Sequence, residues 1–223
     1  MTSQAIKVGM LGGTFDPIHH GHLRSALEVR EALELDRLHM IPAPQPPLRG
    51  VPQVSAEQRL ALLKMGIGET PGLYADCREL RREGPSYSID TLAELRAEYG
   101  EQARLVMIIG FDAFLRLPQW HRAGDLLSLA HLVVMARPGY QTPWPEELKE
   151  LVGSSEVEGA DSLMQRPKGG VLMLSLPSMM AISATYIRER LGEGKSVRYL
   201  LPEAVEEAIH EKGFYQHFFQ HDE

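Results

Sequence analysis

Disulfide bonding is closed to this chain. It holds one cysteine, Cys77, so no internal bridge can form, and a reducing, cytoplasmic compartment is the expected setting. Cys77 lies in an apolar-flanked, strand-like piece and reads as an inert core thiol. An excess of positive charge is lacking too: 23 Lys and Arg stand against 30 Asp and Glu, a net charge of −7. A nucleic-acid surface or a grip on anionic lipid needs clustered basic residues, so neither nucleic acid nor membrane is expected as a partner. No apolar run approaches the ~20 residues of a membrane-spanning helix. Residues 1–7 lack the apolar segment of a signal peptide. There is no Gly-x-x-x-x-Gly-Lys-Ser/Thr, hence no Walker phosphate loop. Repeats and low-complexity blocks are missing as well. What is present is 223 residues, 43% hydrophobic and 24% charged, enough for one domain with a sizeable core.

Apolar runs and helical periodicity alternate along that length. Strands are expected at 6–11, 37–41, 73–77, 105–109, 132–136 and 171–176. Helical patterns follow at 23–35, after a capping box beginning at Ser55 (with Leu60, Leu63 and Ile67 inward), after 86–88 (Ile89, Leu92, Leu95 inward), at 146–151, after Ser183 (Ile187, Leu191 inward) and from Pro202 to Lys212. Residues 152–170 read as a polar loop. The alternation predicts an α/β fold, a doubly wound open parallel sheet. Residues 1–223 form a single domain in this reading, with a helical part at about 183–223 packed on it. Ligands of such folds sit beyond the carboxyl ends of the strands, where strand order reverses. Those ends are Gly12-Gly13-Thr14, the loop after Pro42, Gly110-Phe111-Asp112, Arg137-Pro138-Gly139 and the segment 178–183. The loop 42–52 carries five prolines in eleven residues, so it is neither helix nor central strand. It is either a plain surface loop or a lid that brings Arg49 to a ligand.

The densest chemistry lies at 12–22, Gly-Gly-Thr-Phe-Asp-Pro-Ile-His-His-Gly-His, between a strand and a helix. Gly12 and Gly13 let a ligand approach the backbone. Thr14 and Phe15 offer amides, and a helix start is a natural seat for phosphate. His19 and His22, three apart, share a face on a first helical turn. Asp16 is either a turn-stabilising carboxylate or one that orients a histidine or a metal. A second group is Ser183-x-Thr185-x-x-Arg188. Its hydroxyls can cap a helix or bond phosphate, and Arg188 lies about one turn further on.

The stretch 12–22 resembles the signature of the nucleotidyltransferase superfamily, whose core is the tetrad His-x-Gly-His, here His19-His20-Gly21-His22. Its opening is similar to that of the nicotinate-nucleotide adenylyltransferases. Residues 182–188, Ile-Ser-Ala-Thr-Tyr-Ile-Arg, resemble that family's Ile-Ser-Ser-Thr-x-Ile-Arg, with Ala184 replacing one hydroxyl. Pro85-Ser86-Tyr87-Ser88-Ile89-Asp90-Thr91-Leu92, Ile109-Gly110-Phe111-Asp112 with Trp120 downstream, and Arg137-Pro138-Gly139 resemble further family segments. The family loop Pro-Pro-His-Lys is Pro46-Pro47-Leu48-Arg49 here; a cation persists, as a planar fork rather than a point charge.

The resemblance implies a Rossmann-like fold and transfer of the adenylyl group of ATP to nicotinate mononucleotide, giving deamido-NAD and pyrophosphate in NAD biosynthesis. Mg²⁺ is the expected cofactor, with no protein site for a metal assigned, and association into a homo-oligomer is left open. His19, His22 and Arg188 would be the catalytic residues. Gly12, Gly13, Thr14, Phe15, Gly110, Asp112, Arg137, Ser183, Thr185 and Arg49 would bind ATP. Thr91, Trp120 and Tyr87 would bind the nicotinate nucleotide, Trp120 by stacking on the pyridine. The rivals are the same chemistry on nicotinamide mononucleotide or phosphopantetheine, a class I aminoacyl-tRNA synthetase fragment, and a nucleotide sensor without turnover. The synthetase is disfavoured by the absent Lys-Met-Ser-Lys-Ser element and the negative charge.

Overall fold

A computed structural model describes residues 5–44, 52, 54–136, 143–178 and 180–216. Six strands, β1 (Lys7–Gly13), β2 (Arg37–Pro42), β3 (Leu73–Ala75), β4 (Arg104–Gly110), β5 (His131–Ala136) and β6 (Val171–Ser175), form one sheet. Every pairing is parallel. The order β3-β2-β1-β4-β5-β6 runs outward in both directions from β1 and β4, so strand order reverses between those two. The helices are α1 (His20–Leu33), α2 (Ala56–Ile67), α3 (Ser88–Tyr99), α4 (Phe111–Phe114), α5 (Glu146–Val152), α6 (Gly159–Met164), α7 (Ala184–Gly192) and α8 (Glu203–Lys212). Short 3₁₀ turns link several of them. Among the described residues no helix is long and apolar enough to cross a membrane.

The sheet has a core on each face, and the period-2 geometry of strands divides its residues between them. Val106 and Ile108 of β4 join α1, α2, α7 and α8 through Val29, Leu62, Ile187 and Val205. Leu105, Met107 and Ile109 join α3 and α5 through Leu92, Leu95 and Leu148. Burial on both faces explains why β4 is an unbroken apolar run. The last two helices, with Leu201 and Tyr215, share a core with Leu11, Phe15 and Ile18.

The strand expected at 73–77 ends at Ala75, and Cys77, half-buried before a 3₁₀ turn, is not a core thiol. Two expectations about the helices also need correction. Residues 152–170 are not all loop, since α6 lies among them and buries Leu163 against β6. With a single fully buried side chain, that helix leaves too short an apolar stripe to read from periodicity. On α2 the capping box is present, Ser55 Oγ accepting from Gln58 N while Ser55 N donates to Gln58 Oε1. Its inward face is Arg59, Leu62, Leu63 and Ile67, however, with Leu60 only half-buried. An arginine occupies the buried stripe because its guanidinium finds carbonyl partners there, as described next.

Candidate active site

The end of β1 is shaped by side-chain size. A Cβ on Gly13 would lie 2.9 Å from the Phe15 ring, whereas one on Gly12 would meet nothing within 4 Å. Gly13 therefore seats the ring and Gly12 leaves the backbone open. Phe15 takes a left-handed backbone (φ 47°), a strained choice for a bulky residue, and its side chain is buried. The chain then enters α1 with His19 as the cap: its Nδ1 accepts a hydrogen bond from His22 N at 3.3 Å. An accepting Nδ1 puts the proton of neutral imidazole on Nε2. Burial, aided by the charge of His20, lowers the His19 pKa to about 4, so the ring is neutral at pH 7. His22 stacks on it, centroids 3.6 Å apart and planes 19° apart, with Phe15 edge-on to His22. Gly21 suits this pair: a Cβ there would lie 3.0 Å from His19 Nδ1, a tight contact that would press on the cap.

Opposite stands the start of α7. Ser183 Oγ caps it by accepting from Tyr186 N, and Thr185 Oγ1 accepts from Arg188 Nη2 at 3.3 Å. Arg188 Nη1 donates to the Asp16 carbonyl at 2.7 Å and lies 3.9 Å from its carboxylate. Asp16, expected as a turn-stabilising carboxylate or one orienting a histidine or a metal, is the buried link between the β1 turn and α7. Arg59, fully buried, donates to the carbonyls of Thr14 and Pro44 and braces the same turn from below. Glu28, also buried, accepts from Arg24 and from the backbone of Ser178, tying the segment after β6 to α1.

The other wall rises from β4. Gly110, Phe111 and Asp112 lead through α4 to Trp120, and Tyr87 stacks on His121 at 4.2 Å. One cleft of about 1150 Å³ runs between the walls. Gly12, Gly13, Thr14, Phe15, His19, His22, Gly110, Asp112, Ser183, Thr185, Arg188, Tyr87 and Trp120 line it, so thirteen expected residues meet at one place. Thr91 does not: it is fully buried, donating to Glu79 and accepting from Arg82. Arg49 and Arg137 lie outside the described residues.

Reading the sequence missed Arg59, Glu28, Glu79, Arg116 and His121. Arg59 carried a usable signal, since it lies three and four residues before Leu62 and Leu63 on the buried stripe. Arg116 and His121 flank Trp120 in the cleft wall without any motif of their own.

Residues 10–190 match the cytidylyltransferase-like family model. A protein of Chromohalobacter salexigens is 60% identical over 209 residues, 94% of this chain and 95% of that one. One of Halorhodospira halophila is 49% identical over 208 residues, 93% and 94% of the two chains. Both carry the name "Probable nicotinate-nucleotide adenylyltransferase". The chain belongs to the nicotinate-nucleotide adenylyltransferase family. Its fold is also that of the nicotinic acid mononucleotide adenylyltransferase of Plasmodium falciparum, solved with NaAD. That match has a TM-score of 0.69 at 12% identity, covering 94% of this chain and 97% of that one. As expected of a doubly wound parallel sheet, the cleft lies where strand order reverses.

Proposed function

We propose that the cleft carries out its family's reaction, adenylyl transfer from ATP to nicotinate mononucleotide, by positioning and charge stabilisation. An oxygen of the acceptor's 5′-phosphate attacks the α-phosphorus of ATP. The bond from that phosphorus to the bridging oxygen breaks, and pyrophosphate leaves with the electron pair. The nucleophile is already ionised at neutral pH, so neither a general base nor a protein nucleophile is required. The work is to hold two anions together and absorb charge on the phosphoryl oxygens.

What supports this reading most is the capped, stacked histidine pair facing Arg188 across one cleft. His19 donates from Nε2 to a phosphate, His22 steadies the α-phosphoryl group, and Arg188 takes the outer phosphates. Amides of residues 12–15 and the hydroxyls of Ser183 and Thr185 complete the cradle. Trp120, with Tyr87, holds the flat pyridine against an indole face. Asp112 faces the sugar, and Thr91 acts from beneath through the network that supports residues 86–88. Arg49 and Arg137 would add charge from the loops that carry them. Among the described residues no three His, Cys, Asp or Glu converge as a metal site. Magnesium suits such a cleft, since it binds through phosphates and one or two carboxylates; Asp112 is the exposed carboxylate in the lining. When bound, the ion neutralises charge on the phosphate oxygens.

The test is pyrophosphate release by purified protein given ATP, Mg²⁺ and each of nicotinate mononucleotide, nicotinamide mononucleotide and phosphopantetheine. The nicotinate nucleotide should give the highest kcat/KM, and omission of Mg²⁺ should abolish release. Preference for another acceptor, or ATP binding with no release, overturns the reading.

A further inference from the structure

The chain's far end reaches the catalytic turn. Beyond α8 the backbone reverses through left-handed Gly213 (φ 64°), with Phe214 N bonded to Ile209 O. Tyr215 then takes a left-handed conformation of its own (φ 65°), and the residue is 5% exposed. Its hydroxyl donates to Asp16 Oδ1 at 2.8 Å across 199 residues of sequence. The other carboxylate oxygen of Asp16 faces Arg188 Nη1, which also donates to the Asp16 carbonyl. Nearby, Leu200 O accepts from His20 N in the first turn of α1.

Packing alone does not call for that phenol oxygen. A phenylalanine would fill the same space among Leu11, Phe15 and Ile18, and a buried hydroxyl must be satisfied. Its partner, moreover, is the residue that orients a cleft-lining arginine. Holding the carboxylate on one oxygen fixes Asp16 as a residue, so that its carbonyl takes the 2.7 Å bond from Arg188 Nη1 and its second carboxylate oxygen, 3.9 Å away, adds attraction to the guanidinium. We infer that Tyr215 is a positioning residue for adenylyl transfer: it clamps Asp16, and Asp16 aims Arg188 at the polyphosphate. Tyr215 touches no substrate and acts only through these two residues. The inference rests on the role proposed above for Arg188.

Tyr215→Phe removes the one oxygen and keeps the ring. Turnover should fall about tenfold, as Arg188 loses part of its alignment with the transition-state charge. The KM for the acceptor should hold. The decisive measurement is a double-mutant cycle, read with radiolabelled ATP so that slow turnover is still counted. In an Arg188→Ala background, Tyr215→Phe should cause no further loss. Equal losses in both backgrounds, or unchanged turnover in the Tyr215→Phe single variant, overturn the inference. If Arg188→Ala is as active as the wild type, the role of Arg188 falls and this inference falls with it. If Arg188→Ala is crippled while Tyr215→Phe is normal, that role stands and only the clamp is lost.

Discussion

The two ends of the sheet treat the nitrogen donors of their arginines and histidines in opposite ways. At the amino ends of β4 and β5, the Arg96 guanidinium donates to the carbonyls of Leu129, Gly100, Ala103 and Pro167. Close by, His131 accepts from Gly170 N at Nδ1 and donates from Nε2 to Arg166 O. Both side chains have their polar atoms occupied by backbone. At the carboxyl end, His19 uses Nδ1 to cap α1, while its Nε2 makes no hydrogen bond among the described residues and the ring borders the cleft. Arg188 is anchored through Asp16 and Thr185 and still lines open space. Burial lowers the pKa of both histidines to about 4, so a shifted pKa does not separate them. What separates a strut from a working group is a donor anchored on one side and unoccupied on the other.

The carboxyl-end cleft is tested most sharply at His22, the ring stacked on His19. His22→Ala should cut kcat about 10²–10³-fold, the scale of removing one donor from a charge-stabilising site, with little change in melting. Near-normal turnover in a protein that melts normally would remove His22 from the chemistry. At the opposite end, Arg96→Met leaves several carbonyls without partners. It should cost about 3 kcal/mol and lower Tm by roughly 6–12 °C. Turnover per folded molecule, measured at low temperature, should stay constant; a fall in it would make Arg96 more than a strut.

Acid titration sharpens the comparison. Both histidines are neutral in the folded chain, and each binds a proton in the unfolded chain below about pH 6.5. Their contribution is therefore fully present above that pH and is lost as pH falls toward 4, about 1–3 kcal/mol for each ring. His131→Gln should flatten this acid limb in denaturant titrations without moving the pH profile of turnover. An unchanged limb would show that burial of His131 does not exclude its proton. The smallest effect is expected at Trp120. Trp120→Ala should raise the acceptor KM about tenfold and the ATP KM much less, from loss of a stacking face. Equal changes would assign the indole to the core that it also borders.

Legibility in the sequence followed the range of the interaction. The strands at 105–109 and 132–136 were readable because burial on both faces leaves an unbroken apolar run. The capping box at Ser55 and the cap at Ser183 were readable because their partners lie three residues away. Thr91 shows the limit. Its place in a motif beside Tyr87 pointed to the ligand, yet its hydroxyl is taken by Glu79, twelve residues back, and by Arg82. Asp16 shows it more strongly, since one of its partners is 172 residues away and another 199.

By itself, then, the sequence determined the alternation of strands and helices, the glycine turn with its paired imidazoles, and the family, because each is written in contiguous residues with local physics. Tertiary structure alone decided which polar groups are saturated and which remain available. It also decided which carbonyls Arg59 meets in the core and that Asp16 joins two segments far apart in the chain. Beyond the local caps, hydrogen-bond saturation depends on atoms brought together across the fold, and no contiguous pattern records it.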